Sequence, residues 1–206
     1  MLILSLDTAT DIATACVRRD GLALAESATR ARSVAAQRVL ADVDRLMDEA
    51  GVTPAELDMV VAGTGPGTFT GLRIGLAAAR SLGFALGIPV KGVSTLDALR
   101  AGDGVDAACV DARRGEVFAA GPGLEIQAIA PEALADALAA GTVCAGDGAV
   151  RYRDRLAGPD IPADDSPLHV PWARHHAALA ATAGPPEPLY VRAPDADRAL
   201  AARAAS

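Results

Sequence analysis

The stretch Met59-Val60-Val61-Ala62-Gly63-Thr64-Gly65-Pro66-Gly67-Thr68-Phe69-Thr70-Gly71-Leu72-Arg73-Ile74-Gly75 decides how this chain is read. Its first four residues form an apolar run of strand character, and a helix pattern of small residues follows. Between them lie Gly63, Gly65, Gly67 and Gly71, with Pro66 and the threonines Thr64, Thr68 and Thr70. Such a strand-to-helix turn leaves backbone N–H groups bare at a helix N-terminus, where anions and phosphates are held. It serves equally as a tight connection with no ligand. Its spacing matches neither common nucleotide fingerprint. No Gly-Lys-Ser/Thr closes it, and its glycines do not read G-x-G-x-x-G.

Downstream, Gly71, Gly75, Ala79, Gly83 and Gly87 recur every four residues with no internal proline. Positions i and i+4 share a helix face, so this pattern predicts a ridge almost without side chains. Glycine inside a helix costs roughly 1 kcal/mol against alanine, and close approach of another backbone is the usual compensation. Leu72, Ile74, Leu76, Leu82, Phe84 and Leu86 flank the ridge, which predicts a helix apolar nearly all round. The ridge packs either inside its own domain or against a helix of another subunit.

The 206 residues allow one large domain or two small lobes. Hydrophobic residues make up 51% but aromatics only 3%, so the core is built from Ala, Val, Leu and Ile. A net charge of −7 with Lys91 as the single lysine argues against autonomous nucleic-acid binding, which needs clustered Lys/Arg. Cys16, Cys109 and Cys144 show no zinc spacing and read as reduced structural thiols of a cytosolic protein. At the N-terminus, Asp7 cuts the apolar run Leu2–Leu6 short, and no basic region precedes it. On that pattern neither a signal peptide nor a membrane span is expected there, and no membrane association is expected.

Along the chain, Leu2–Leu6 reads as a buried strand. Ile12–Arg18 and Leu22–Glu26 form a hairpin across Arg19-Asp20-Gly21. Ser33 to Ala50 is helical, closed by Gly51. A capped turn at Thr53–Glu56, the Met59–Ala62 strand, the ridged helix and the Pro89–Val93 strand follow. Ser94 and Asp97 then cap a short helix ending near Arg100. The pattern restarts with strands Ala107–Val110, Glu116–Ala120 and Leu124–Ile129, a helix from Pro131 to Ala140, and a strand Thr142–Ala145. Eight prolines break up residues 159–194, with one helix from about Trp172 to Thr182, and the tail Ala196–Ala205 has helical composition. Two lobes follow, 1–100 and 101–206, with the last helix packing back on the first. Their repeated meander followed by α/β units suggests duplication.

The N-terminal strand running into Asp7-Thr8-Ala9-Thr10, the two lobes and the glycine turn resemble the actin-like ATPase superfamily, which has a ribonuclease H-like α/β fold. Within it, Gly65 through Gly75 is similar to the defining loop of the TsaB (YeaZ) family. Ser94-Thr95-Leu96, Asp111-Ala112-Arg113-Arg114-Gly115-Glu116-Val117-Phe118, Gly146-Asp147-Gly148 and Pro188-Leu189-Tyr190-Val191-Arg192 also match, in the family's order. The resemblance implies a cytoplasmic scaffold subunit that is homodimeric when alone. It pairs with TsaD as a heterodimer, and with TsaE, to make threonylcarbamoyladenosine next to the tRNA anticodon. It further implies a lost catalytic apparatus, tRNA reached only through the complex, no cofactor of its own, and ATP or ADP with Mg at the partner complex.

On that resemblance, partner or dimer contacts fall on Ser33, Val34, Gln37, Leu40, Asp44, Gly71, Arg73, Gly75 and Ala79. A nucleotide or anion loop would use Asp7, Thr8, Gly65, Gly67, Thr68 and Thr70. Ala9, however, stands where the superfamily places a phosphate-approaching glycine, so Asp7 is expected to hydrogen-bond its own turn. Arg32-Ser33-Val34 replaces the family's His-Ser-Glu, which puts the partner contacts of the missing His and Glu in doubt. His175 and His176 are adjacent and share no helix face, so no metal site is expected, and both read as surface or partly buried. Asp111–Arg114 reads as a structural turn with some scope for a cleft role. Two other readings stay open: a small nucleotide-dependent ATPase or kinase using the inter-lobe cleft, and a glycoprotease-like peptidase.

Overall fold

A computed structural model describes residues 1–30 and 35–192. The order is β1 (Leu2–Asp7), β2 (Ile12–Arg19), β3 (Leu22–Arg30), α1 (Ala35–Ala50), β4 (Met59–Gly63), α2 (Phe69–Leu86), β5 (Val90–Val93) and α3 (Thr95–Arg100). There follow β6 (Ala107–Arg113), β7 (Glu116–Gly121), β8 (Leu124–Ile129), α4 (Pro131–Ala137), β9 (Cys144–Ala145), α5 (Asp147–Arg151) and α6 (Ala173–Ala178). Single 3₁₀ turns lie at Pro54–Glu56, Arg153–Arg155 and Pro167–His169. Two mixed sheets result, ordered β3-β2-β1-β4-β5 and β8-β7-β6-β9.

The two sheets repeat one topology. A three-strand antiparallel meander comes first, and its first strand then takes a parallel neighbour: β4 beside β1, and β9 beside β6. This is the α/β two-lobed architecture that the sequence predicts. β1 is buried along its whole length, as a central strand covered on both faces must be. Leu4 and Leu6 point toward α1 and α2, joining Val17, Val43, Leu46, Val60 and Leu76 in one cluster. Ile3 and Val61 point the other way, against Ala177 and Ala180 near α6. On that same face Ser5 donates to the Ala173 carbonyl (2.7 Å), and Thr14 on β2 donates to that of Pro171 (2.8 Å). Two buried hydroxyls thus tie residues 171–173 to the first sheet, and the chain returns from the second lobe to cover the first.

Local sequence accounts for most boundaries. Asp20 and Gly21 take φ of 49° and 93°, the left-handed pair of a two-residue hairpin. The Ser94 hydroxyl accepts from the Leu96 and Asp97 N–H groups and starts α3. β3 runs on to Arg30 and β6 to Arg113, beyond their apolar cores. α4 stops at Ala137 rather than Ala140 because Leu138 turns extended and buries its side chain. α6 is shorter than the Trp172–Thr182 expectation, since Leu179 leaves the helix to pack inward. α5 was not expected, because Gly146-Asp147-Gly148 reads as a turn closing a strand. The tail 196–205, read as helical, lies outside the described residues, as do Ser33 and Val34.

The small-residue ridge of α2 faces inward. A Cβ on Gly71 would lie 2.0 Å from the Thr8 carbonyl oxygen, and one on Gly75 would lie 2.5 Å from the Thr8 hydroxyl. At Gly83 a Cβ would meet Val90 at 2.1 Å, and Ala79 is fully buried. Gly87, with φ 66°, is the left-handed cap. Gly71 and Gly75 therefore face the chain's own first loop, with Ala79 buried on the same side of α2, so the ridge packs inside its own domain. The backbone they let approach is the chain's own first loop. Gly71→Ala gains about 1 kcal/mol of helix propensity but inserts a methyl into backbone, an overpacking cost at or above about 3 kcal/mol. A lower urea midpoint with an unchanged m-value is the expected outcome.

Candidate functional site

The end of β1 and the glycine loop close on each other. Parallel register places Ala62 beside Leu6, so the next residue, Gly63, lies against Asp7. A Cβ on Gly63 would come within 2.3 Å of the Asp7 carboxyl carbon. One on Gly67 would come within 2.2 Å of the Ala9 carbonyl oxygen, which already accepts from the Thr68 N–H at 2.7 Å. Thr8 donates its hydroxyl to the Gly71 carbonyl (2.6 Å), and the Gly65 carbonyl accepts from the Thr95 N–H (2.7 Å). Asp7, Thr8, Gly65, Gly67 and Thr68 are thus brought together, but around protein backbone. Thr70 is exposed at the first turn of α2.

Asp7 itself is fully buried. Its Oδ1 accepts from the Ala9 N–H at 2.6 Å, and its Oδ2 accepts from the Thr95 hydroxyl at 2.7 Å. His176 Nε2, also fully buried, lies 2.9 Å from the same Oδ2. The other ring nitrogen of His176 faces the Trp172 carbonyl at 3.3 Å. The ring thus meets Oδ2 at ion-pair distance but off the line of a hydrogen bond. His176 is therefore a core residue rather than the surface or partly buried one expected. The signal that could have found it is weak, since 168 residues separate the linked segments at Ser5 and Ala173. Magnesium with its water does not fit at Asp7, because both carboxylate oxygens are engaged and Ala9 is fully buried beside them. Among the described residues no group of three or more His, Cys, Asp or Glu is placed to hold a metal ion.

A cavity of ≈ 220 Å³ lies between the lobes, lined by Asp11 and Arg30 from the first and by Asp111, Asp147, Arg151 and His169 from the second part of the chain. Asp111 is buried and accepts from the Tyr152 hydroxyl (3.1 Å), with Arg113 and Arg151 nitrogens at 3.3 and 3.5 Å. Arg113 also reaches Asp11 at 3.7 Å, so the hairpin tip touches the first lobe. Arg113, Arg114 and Gly115 all adopt positive φ (64°, 55°, 80°), which turns the expected Asp111–Arg114 bend into a tighter turn two residues later. His169 Nδ1 accepts from the Gly146 N–H at 3.1 Å. Asp147 accepts from the Asp111 N–H at 3.0 Å, while burial, aided by the charges of Asp111 and Asp11, pushes its carboxyl up to about 6.

The outward side of α2 carries Phe69, Arg73, Arg80 and Phe84, the last 92% exposed. Beside it on α1, Leu40 and Asp44 are also exposed. Arg73, Leu40 and Asp44 are therefore the expected interface residues that reach this surface. The Gln37 side chain lies outside the described ones.

Two stability predictions follow from these contacts. His176→Ala empties a fully buried ring site beside Asp7 and is expected to cost about 2–5 kcal/mol in chemical denaturation. Between pH 3.8 and about 6 folded Asp147 holds more protons than the unfolded group, so stability falls as pH rises through that window. Asp147→Asn keeps the acceptor for Asp111 and is expected to raise stability by about 1–2 kcal/mol at neutral pH and by nothing below pH 3.8, read from melts across pH.

The model of the family described as TsaD, tRNA N6-adenosine threonylcarbamoyltransferase, matches residues 26–143. A protein of Mycobacterium tuberculosis (strain ATCC 25618 / H37Rv), described only as uncharacterized, is 40% identical over 203 residues, covering 94% of this chain and 93% of that one. The tRNA threonylcarbamoyladenosine biosynthesis protein TsaB of Bacillus subtilis (strain 168) is 34% identical over 122 residues, covering 57% of this chain and 53% of the relative. The solved structure of YeaZ from Pseudomonas aeruginosa superposes with a TM-score of 0.74 at 29% identity, over 92% of this chain and 99% of that one.

Proposed function

This chain belongs to the TsaB (YeaZ) family of tRNA threonylcarbamoyladenosine biosynthesis proteins, and on that premise we propose that it acts there as a cytoplasmic, non-catalytic partner subunit. Asp7 carries this reading. In the actin-like superfamily the corresponding Asp orients a metal-bound water, and here its carboxylate is consumed by Ala9, Thr95 and His176. The glycine loop that would cradle phosphate is filled by Thr8 and Ala9 of the same chain. Such a molecule contributes surface rather than chemistry. Its exposed surface is the α1–α2 face with Leu40, Asp44, Arg73 and Phe84.

In this reading the face pairs with TsaD as a heterodimer and with a second copy when TsaD is absent. TsaE joins the assembled pair, ATP or ADP with Mg belongs to that complex, and tRNA is reached only through it. The −7 net charge is consistent with negligible tRNA affinity of the chain alone. The inter-lobe cavity favours a second reading, a nucleotide-dependent enzyme working from Asp111 and Asp147.

Size-exclusion chromatography with light scattering, with and without TsaD from the same organism, separates the two. A one-to-one complex, together with a melting temperature of the chain alone that ignores Mg-ATP, is the expected result. Failure to bind TsaD, combined with Mg-ATP stabilisation of the chain alone, overturns the partner-subunit reading. A ligand at 100 times its dissociation constant adds about 2.7 kcal/mol, so such binding is readily seen.

A further inference from the structure

The inter-lobe cavity is walled by charge from both lobes, and most of that charge is already paired. Asp111 lies between Arg113 and Arg151, at 3.3 and 3.5 Å. Asp11 has Arg113 at 3.7 Å, and Asp164 has Arg153 at 2.6 Å. His169 uses both ring nitrogens on backbone, Nδ1 accepting from the Gly146 N–H and Nε2 donating to the Ala163 carbonyl, each at 3.1 Å. Two charges of the wall remain. Among the described residues neither Arg30 nor Asp147 has an ion-pair partner, and they do not pair with each other.

These two belong to opposite lobes and carry opposite signs. Arg30 is exposed at the end of β3, opposite Ile12 in the strand register, and Ile12 lines the same cavity. Asp147 is half-buried at the start of α5, its Oδ1 accepting from the Asp111 N–H at 3.0 Å. Asp111 and Asp11 add negative charge around it, and Arg151 of its own helix is turned to Asp111. A carboxylate drawn out of water without a cation is destabilising, so a ligand that brings the cation is favoured there.

Size and charge together select the occupant. The cavity, ≈ 220 Å³, exceeds the roughly 150 Å³ that holds a benzene ring and falls short of the roughly 300 Å³ at which drug-sized pockets begin. A nucleotide overfills it, and its phosphates would meet a wall with more aspartate than arginine. A small molecule with one ammonium and one carboxylate supplies what each lobe lacks, and Ile12 and Val150 leave apolar wall for a short side chain. We infer that the inter-lobe cavity binds a zwitterionic amino acid, its ammonium on Asp147 and its carboxylate on Arg30, so that the ligand bridges the lobes. Neither residue lies on α1 or α2, so this site is separate from the docking face of the proposed function.

Isothermal titration calorimetry of the full chain with each common amino acid in turn, up to about 10 mM, tests it. Saturable one-to-one binding of at least one of them is expected. Asp147→Asn and Arg30→Gln should each weaken that binding at least about tenfold, the effect of losing one charge-assisted hydrogen bond, and thermal melts establish that both variants are folded. The N-acetyl derivative and the amide of the same amino acid, which each lack one charge, should lose as much. Below about pH 6 the Asp147 carboxyl takes up its proton, so the parent's affinity should fall about tenfold per pH unit there while that of Asp147→Asn stays flat. No binding by any amino acid overturns the inference, and so does binding that both folded variants retain. Binding of Mg-ATP that Asp147→Asn abolishes replaces it with the nucleotide-dependent reading. The partner-subunit reading, measured on TsaD, stands or falls separately.

Discussion

Everything near the centre of this molecule is organised by one buried carboxylate. Asp7 ends β1 with no exposed surface, and an unpaired charge there would cost several kcal/mol. Satisfying it recruits four parts of the fold. The Ala9 N–H comes from the turn after β1, the Thr95 hydroxyl from the start of α3, and the His176 ring from α6. Gly63 at the end of β4 supplies the space, since any side chain there would overlap the carboxyl group. β1, β4, α3 and α6 are thereby held at one point.

The same constraint explains the glycines. A loop of bare backbone at a helix N-terminus invites an anion, and the sequence pattern alone is consistent with one. In the folded chain the loop receives Thr8 and Ala9 instead, and the ridge of α2 receives the Thr8 carbonyl and hydroxyl. Close approach is indeed the compensation for helical glycine, but the approaching backbone belongs to the same lobe. The exposed stripe of α2 is what remains for other molecules. It carries arginine and phenylalanine instead of a smooth ridge.

The second lobe repeats the strand order without repeating this centre. Near the end of its β6 stands Asp111, held by Tyr152, Arg113 and Arg151 at the rim of the inter-lobe cavity, next to Asp147 on α5. Asp147 is poorly solvated and hard to ionise, so the second lobe keeps a carboxyl that titrates near neutrality facing the first. Cys109 and Cys144 stack behind it, fully buried with sulfurs 3.8 Å apart, as small apolar core groups.

Periodicity and turn chemistry were enough to read the strand meanders, the Asp20-Gly21 hairpin, the Ser94 cap and the two-lobed architecture. Each depends on neighbours within a few residues, where sequence spacing equals spatial spacing. The motifs Asp7-Thr8-Ala9-Thr10 and Gly65 through Gly75 were likewise legible, and so was the expectation that Ala9 turns Asp7 toward its own turn. Which face of the α2 ridge meets which backbone was not legible, because a helix pattern marks a face without naming what covers it. Nor were the contacts between Asp7 and His176 or between Arg73 and Tyr190, which join segments more than a hundred residues apart. No periodicity encodes such pairs. They exist because a buried charge and an exposed ring each require a partner, and only the folded chain brings that partner within reach.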